Sequence, residues 1–375
     1  MYRSAAVFAW ALPMALGLTA LTCLGGCQWL AGDRDERDLA DPLLVDLPTA
    51  QALDYRIQWQ QDLGLGDGAR VLGVTLVEGG VAVIESGNIV TLIERGTGDV
   101  RWRKRVGGRG ERLQAPVVIG DHMFVCSSTR AVALRMDSGN IADAFDLEHT
   151  ASTPPTASGN ALMFGTPEGL VFAQQSETGL LLWEYKMAAP VEATPVGLGE
   201  LVFVADSSGQ VAAIDPDNGA LAWRTTRPPW GPIETEPAAS DDLAYVACKD
   251  QKLYAFGKRS PRVVWQYLTE NPLTESPTLI GNHLYQRTAE RGLVCLDADT
   301  GEERWRADLP GVPVQEHRGG LWLAEPGKVH IVRDRKVVRT VDLPKVDMVR
   351  LDATRSGLAY LVSKDGRVMR LAPQR

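Results

Sequence analysis

The chain has 375 residues, of which 45% are hydrophobic and 23% charged, and a formal net charge of −8. That balance excludes wholesale disorder, and the negative charge excludes nucleic acid or an anionic lipid surface as a partner of the molecule as a whole. Five cysteines without a CxxC spacing and five histidines without metal-ligand spacing give no zinc site and no redox dithiol, so neither a metal nor a cofactor is expected.

Residues 1–26 read as a signal peptide: Arg3 is a positive start, Ala5 to Leu21 is an uncharged apolar stretch broken by Pro13 and Gly17, and Leu24-Gly25-Gly26 leads into Cys27. That ending resembles the lipobox of bacterial lipoproteins, which implies cleavage before Cys27 and lipidation of its thiol. The competing reading is a retained signal anchor, because the apolar run approaches the ~20 residues that span a bilayer. Small residues directly before the cysteine and a polar stretch after it favour the lipobox. Residues 27–50, with AGDRDERDLADP inside, read as the lipidated cysteine and a flexible tether. Gln28 is not an aspartate, so the resemblance implies sorting to the outer membrane, on its periplasmic face.

From residue 51 to 375 the chain repeats itself. VAAIDPDNGALAW at 211–223 and LVCLDADTGEERW at 293–305 share an alternating apolar run, an Asp, a Gly-containing turn and a Trp four residues past the Gly. Trp102, Trp183, Trp223, Trp265 and Trp305 fall at multiples of about 40 residues. The unit between Trp102 and Trp183 lacks its Trp, with Phe145 as a stand-in. Each unit reads as four short strands with Gly or Asn-Gly at the turns, which predicts a β-propeller blade. Seven complete units run at 71–106, 114–147, 152–187, 193–226, 235–268, 275–309 and 312–343. The last stretch, 347–371, supplies only three strands. The missing one is ALDYRIQWQQDL with Trp59, near the start, so the expected fold is all-β: an eight-bladed β-propeller of four-stranded antiparallel blades, closed by an N-terminal strand. Cys126, Cys248 and Cys295, each in an apolar strand, are expected in the core.

The A-x-D-x-x-T/N-G-x-x-x-W sentence, as in Ala213-Ile214-Asp215 through Trp223, is similar to the repeat of pyrroloquinoline-quinone-type propellers. With a lipoprotein signal and no further domain, the chain resembles the BamB-like outer-membrane lipoproteins, which help β-barrel proteins assemble. The resemblance implies that Trp59, Trp102, Trp183, Trp223, Trp265 and Trp305 dock neighbouring blades, and that the molecule, a monomer by itself, binds the β-barrel assembly machinery. A second binding reading is an envelope lipoprotein that holds another exported protein or polymer. A quinone-dependent dehydrogenase shares the blade sentence, but its family pattern requires adjacent cysteines and a calcium site. This chain has no Cys-Cys pair, and Asp206, Asp215 and Asp297 sit at turns, where carboxylates bond to backbone.

The link Arg227 to Glu236, RPPWGPIETE, is the candidate protein-binding loop, with Trp230 and Glu234 as its contact residues. Trp230 is off the 40-residue register and its prolines stiffen the loop for docking; a Trp folded over the channel rim as a plug remains open beside it. BamB proteins dock their partner through an apolar-Arg pair on one such link and acidic residues on the next. Here the preceding link, Lys186 to Glu192, has no Arg pair and only Glu234 matches the acidic element.

Overall fold

The computed structural model describes residues 43–108, 110–226, 231–290, 292–352 and 357–374. Alternating apolar runs between glycine-rich turns make strands, and the strands form eight four-stranded antiparallel sheets, the blades of a propeller. Within a blade we letter the strands a to d from the inside outward. Strands a of neighbouring blades lie against one another around the axis. Blade 1 holds Val71–Val77, Gly80–Glu85, Ile89–Glu94 and Val100–Arg105. Blade 8 takes its a, b and c strands from Met348–Leu351, Ala359–Val362 and Arg367–Pro373, and its d strand from Tyr55–Asp62 at the other end of the chain.

The apolar core is divided among the seams between blades. One buried cluster joins blades 1 and 2 through Trp102, Met123 and Val125, another joins blades 3 and 4 through Trp183, Val202 and Ile214, and the pattern continues around the ring. Each blade buries one face of its sheet on the next, so no blade has a core of its own.

The repeated sentence acquires its meaning at these seams. The indole N–H of Trp102 donates to the carbonyl of Met136 in the next blade at 3.0 Å, and Trp183, Trp223 and Trp265 donate likewise to Pro216, Lys258 and Ala298 at 2.8, 2.8 and 3.0 Å. Trp59 in blade 8 donates to Arg95 of blade 1 at 3.1 Å and so joins the two ends of the chain. The receiving turn carries the Gly. A Cβ on Gly98, Gly139, Gly219 or Gly301 would lie 2.4 to 2.7 Å from the ring of Trp59, Trp102, Trp183 or Trp265. These glycines also have φ between 65° and 85°, so turn geometry and ring contact exclude a side chain independently. The Asp of the sentence closes the same turn: Asp215 Oδ1 accepts from the Asp217 N–H at 2.9 Å, and Asp297 Oδ1 from the Asp299 and Thr300 N–H groups at 3.1 and 3.0 Å. The Arg304 guanidinium and the Thr300 N–H hold the Asp297 carboxyl down at about 2.

Four seams depart from this pattern. Trp223 keeps its bond to the Lys258 carbonyl, but Pro261 stands in that turn where the Gly would be. Phe145 sits two residues past the position that Trp takes in the d strand, where Asp143 stands opposite Ala133, yet its ring lies where a Cβ on Gly179 would point. Trp305 is only partly buried. The next blade turns from c to d through Asp334 and Arg335 alone, both with positive φ, and supplies no glycine platform. A cavity of about 290 Å³ opens there beside Trp305, His283, Tyr285 and Glu316. In blade 7 the Trp position, opposite Ile331, is Arg339.

At that last seam blade 8 has no c-to-d turn, because the chain ends after strand c and begins before strand d. Residues 43–54 occupy the place. Helix α1 (Leu47–Ala52) is capped by Asp46, whose Oδ1 accepts from the Thr49 N–H at 2.9 Å, with Pro48 in its first turn. Leu44, Val45, Ala50 and Leu53 are buried against Trp322, Ile331, Val341 and the blade 8 strands. The Arg339 guanidinium donates to the Ala52 carbonyl, as Trp does to a turn carbonyl elsewhere. The ring therefore begins at residue 43. Residues 43–50, assigned to the flexible tether on the sequence, are held to the ring, because Leu44, Val45 and Ala50 pack into the one seam that lacks a Trp and a turn, while Leu43 and Leu47 stay exposed.

Two outcomes follow from these contacts. Each larger buried side chain in 43–53 contributes ~1.5–3 kcal/mol, so deleting residues 43–53 lowers the melting temperature by at least ~4 °C relative to deleting 28–42; equal melting of the two truncations, by circular dichroism, refutes the seam-filling role. Trp223→Ala loses ~3 kcal/mol or more in urea unfolding through the lost aromatic burial, and Gly219→Ala loses more than the ~1 kcal/mol that a positive φ costs alone, since it also displaces Trp183.

Candidate functional site

The links into blades 4 and 5 lie side by side on one end of the ring, and buried polar groups fasten each in place. In the first, Met187 and Val191 are buried while Ala188 and Glu192 are exposed. Asp206, itself buried at the end of strand b of blade 4, accepts from the N–H groups of Ala188 and Ala189 at 3.1 Å each through Oδ2. Its Oδ1 takes the Ser208 and Gln210 N–H groups at 2.9 and 3.0 Å, so one carboxylate holds both the link and the neighbouring turn. The Ser207 N–H donates to the Pro190 carbonyl at 2.8 Å.

In the second link Ile233 is fully buried and acts as its anchor. The Lys249 N–H donates to the Pro232 carbonyl at 3.1 Å, the Cys248 thiol to the Gly231 carbonyl at 3.2 Å, and the Thr235 hydroxyl to the Ala247 carbonyl at 3.3 Å. Glu236 ties the links together. Its carboxylate accepts from the N–H and hydroxyl of Thr194, both at 2.9 Å, and its own N–H donates to the Ser276 hydroxyl at 3.0 Å, so blades 4, 5 and 6 share one residue.

Among the residues singled out on the sequence, Glu234 is exposed and forms an ion pair with Lys249 of the adjacent b-to-c turn. Its charge is therefore matched within the chain, at the modest strength of an exposed pair. Trp230 and the lipidation candidate Cys27 lie outside the described residues, as do the signal peptide and residues 27–42. Asp206, Asp215 and Asp297 each bond to turn backbone. Cys126, Cys248 and Cys295 are buried, and burial pushes all three thiols up, those of Cys248 and Cys295 to about 12. Glu236 escaped the sequence reading. Only its position, next to Pro237 and across from Thr194 one repeat earlier, marks it.

A family model described as outer membrane protein assembly factor BamB matches residues 49–143, 129–276 and 249–357. The chain belongs to the BamB family. It is 24% identical over 164 residues to the outer membrane protein assembly factor BamB of Shewanella oneidensis, covering 40% of this chain and 42% of that one. It is also 24% identical over 275 residues to a tetrathionate hydrolase of Acidithiobacillus ferrooxidans, covering 73% of this chain and 50% of that one. The chain thus spans half or less of the length of these curated relatives. The crystal structure of BamB from Moraxella catarrhalis aligns with a TM-score of 0.67 at 16% identity, over 85% of this chain and 99% of that chain, a likeness of fold.

Proposed function

We propose that this BamB-family chain is a non-catalytic, periplasm-facing scaffold, a monomer anchored through Cys27 to the outer membrane, that serves the assembly of β-barrel outer-membrane proteins. The observation that carries the reading is the extent of the family match, which runs from residue 49 through seven blades and into the eighth. The links into blades 4 and 5 are the docking surface for the barrel-assembly machinery in this reading. Glu236 and Asp206 preorganise them, so little ordering entropy is lost on binding. Glu234 can exchange Lys249 for a basic partner group, and Trp230 supplies the aromatic anchor.

An enzymatic reading draws on the tetrathionate hydrolase match. Against it, the turn carboxylates are engaged by backbone donors, and among the described residues no three His, Cys, Asp or Glu side chains come together as a metal site. A shared ring does not carry a shared reaction.

Capture of partners from solubilised membranes by the full chain, followed by titration, tests the scaffold. Trp230→Ala is expected to weaken capture by ~2 kcal/mol, about thirtyfold, and Glu234→Lys by about tenfold or more, both with unchanged melting. Early melting with normal capture in Trp230→Ala makes the loop a plug and moves the interface elsewhere. For the anchor, Cys27→Ser is expected to abolish acyl labelling and membrane retention; labelling that persists refutes lipidation at Cys27.

A further inference from the structure

Where blades 8, 1 and 2 meet, a cavity of about 520 Å³ opens at the end of the axis. Arg70, Arg112 and Arg350 line it, and no carboxylate does, although the chain as a whole carries −8. Arg70 precedes the a strand of blade 1, Arg112 lies in the link to blade 2, and Arg350 is on the a strand of blade 8. Among the described residues, the guanidinium groups of Arg70 and Arg112 make no ion pair or hydrogen bond. That of Arg350 spends Nε and Nη1 on the carbonyls of Val74 and Val349, at 3.3 and 3.1 Å, which fixes its plane and leaves Nη2 uncommitted. The three side chains are exposed, and like charges gathered around one cleft without a carboxylate among its lining residues give it a positive potential.

Apart from Thr75 the rest of the wall carries no polar side chain, and one part of it is set against the ordinary pattern of the blade. A β-bulge between Val71 and Gly73 leaves Leu72 unpaired with strand b and turned out, 53% exposed, onto the cavity. Gly73 forms the floor: a Cβ there would meet nothing within 4 Å, so the space above it is open. Val74 and Leu113 complete a wall with the make-up of a small-molecule site, apolar with a few convergent polar groups.

We propose that this cavity binds a phosphate monoester carried on an apolar body. Guanidinium forks match phosphate oxygens in pairs, a dianion answers three clustered positive charges better than a carboxylate does, and Leu72 and Leu113 take the apolar part. The site lies away from the links into blades 4 and 5 and does not depend on the scaffold reading.

Calorimetric titration of the full chain with phenyl phosphate, inorganic phosphate and phenol tests the free ligand. Vesicles of phosphatidylcholine with and without phosphatidic acid test a lipid headgroup as the source. Saturable binding of phenyl phosphate, at least tenfold tighter than of phenol or inorganic phosphate, is expected. Arg350→Gln and Arg112→Gln are each expected to weaken it at least tenfold, and Gly73→Leu to fill the floor and abolish it, with melting unchanged in Arg112→Gln because that side chain makes no bond in the fold. A preference for phosphatidic acid vesicles alone, lost in the same variants, assigns the site to a lipid phosphate. No binding in either arm, affinity equal to that of phenol, or binding indifferent to Arg112→Gln and Gly73→Leu overturns the proposal.

Discussion

Half of the ring's eight seams rest on one contact made again and again: a Trp on the outer strand of one blade lying on a glycine turn of the next, its N–H on a carbonyl of that turn. The contact combines an apolar ring, which gains by leaving water, with a donor that would be costly to bury unpaired. Where the ring of one blade lies on the glycine of the next, the two residues act together although they belong to different repeats. This accounts for the short spacing between Gly and Trp within a unit. Each repeat carries the receiver for the blade behind it and the donor for the blade ahead.

This division explains what the sequence disclosed. Blade number, strand order and the closing strand with Trp59 were legible because they rest on local alternation and on a period that any window of about 40 residues repeats. The turn role of Asp215 and Asp297 was legible for the same reason, since an Asp bonding to N–H groups two or three residues on is a local event. Contacts between distant residues were not. Nothing near Arg339 announces that it stands where a Trp belongs, or that Ala52, nearly three hundred residues earlier, offers it a carbonyl. The helix at Leu47–Ala52 was not legible, because six helical residues are too few to show a 3.6-residue period and the acidic stretch before them gave the whole segment the look of a tether. Glu234 illustrates the limit for the candidate site: its acidity was visible and the lysine that neutralises it, on a turn of the same blade, was not.

The departures from the repeat are informative because the repeat is so uniform. At the seam of blades 6 and 7 the c-to-d turn is reduced to Asp334 and Arg335, Trp305 loses its platform, and a pocket opens. At the seam of blades 7 and 8 both turn and Trp are gone, and the chain's own N-terminal residues fill the space. The outcomes differ because only the second seam has a free length of chain beside it. A solenoid closed into a ring must solve its ends within its own sequence, and here the solution is a strand for the hydrogen-bonded edge and a short helix for the apolar seam.

The same reasoning sets how far similarity reaches toward function. A ring of this type demands Asp, Gly and Trp at fixed intervals whatever its links bind, so a low identity spread over much of the chain is what the seams alone require. A scaffold and a hydrolase can share it equally. What distinguishes members of such a fold lies where the seams make little demand: in the links, which Glu236 and Asp206 hold in one arrangement, and at the axis, where Arg70, Arg112 and Arg350 line one cavity and only Arg350 bonds across a seam, to the Val74 carbonyl. Those three side chains are exposed and lie outside the apolar seams, so the seams that make the fold legible also leave its function room to differ.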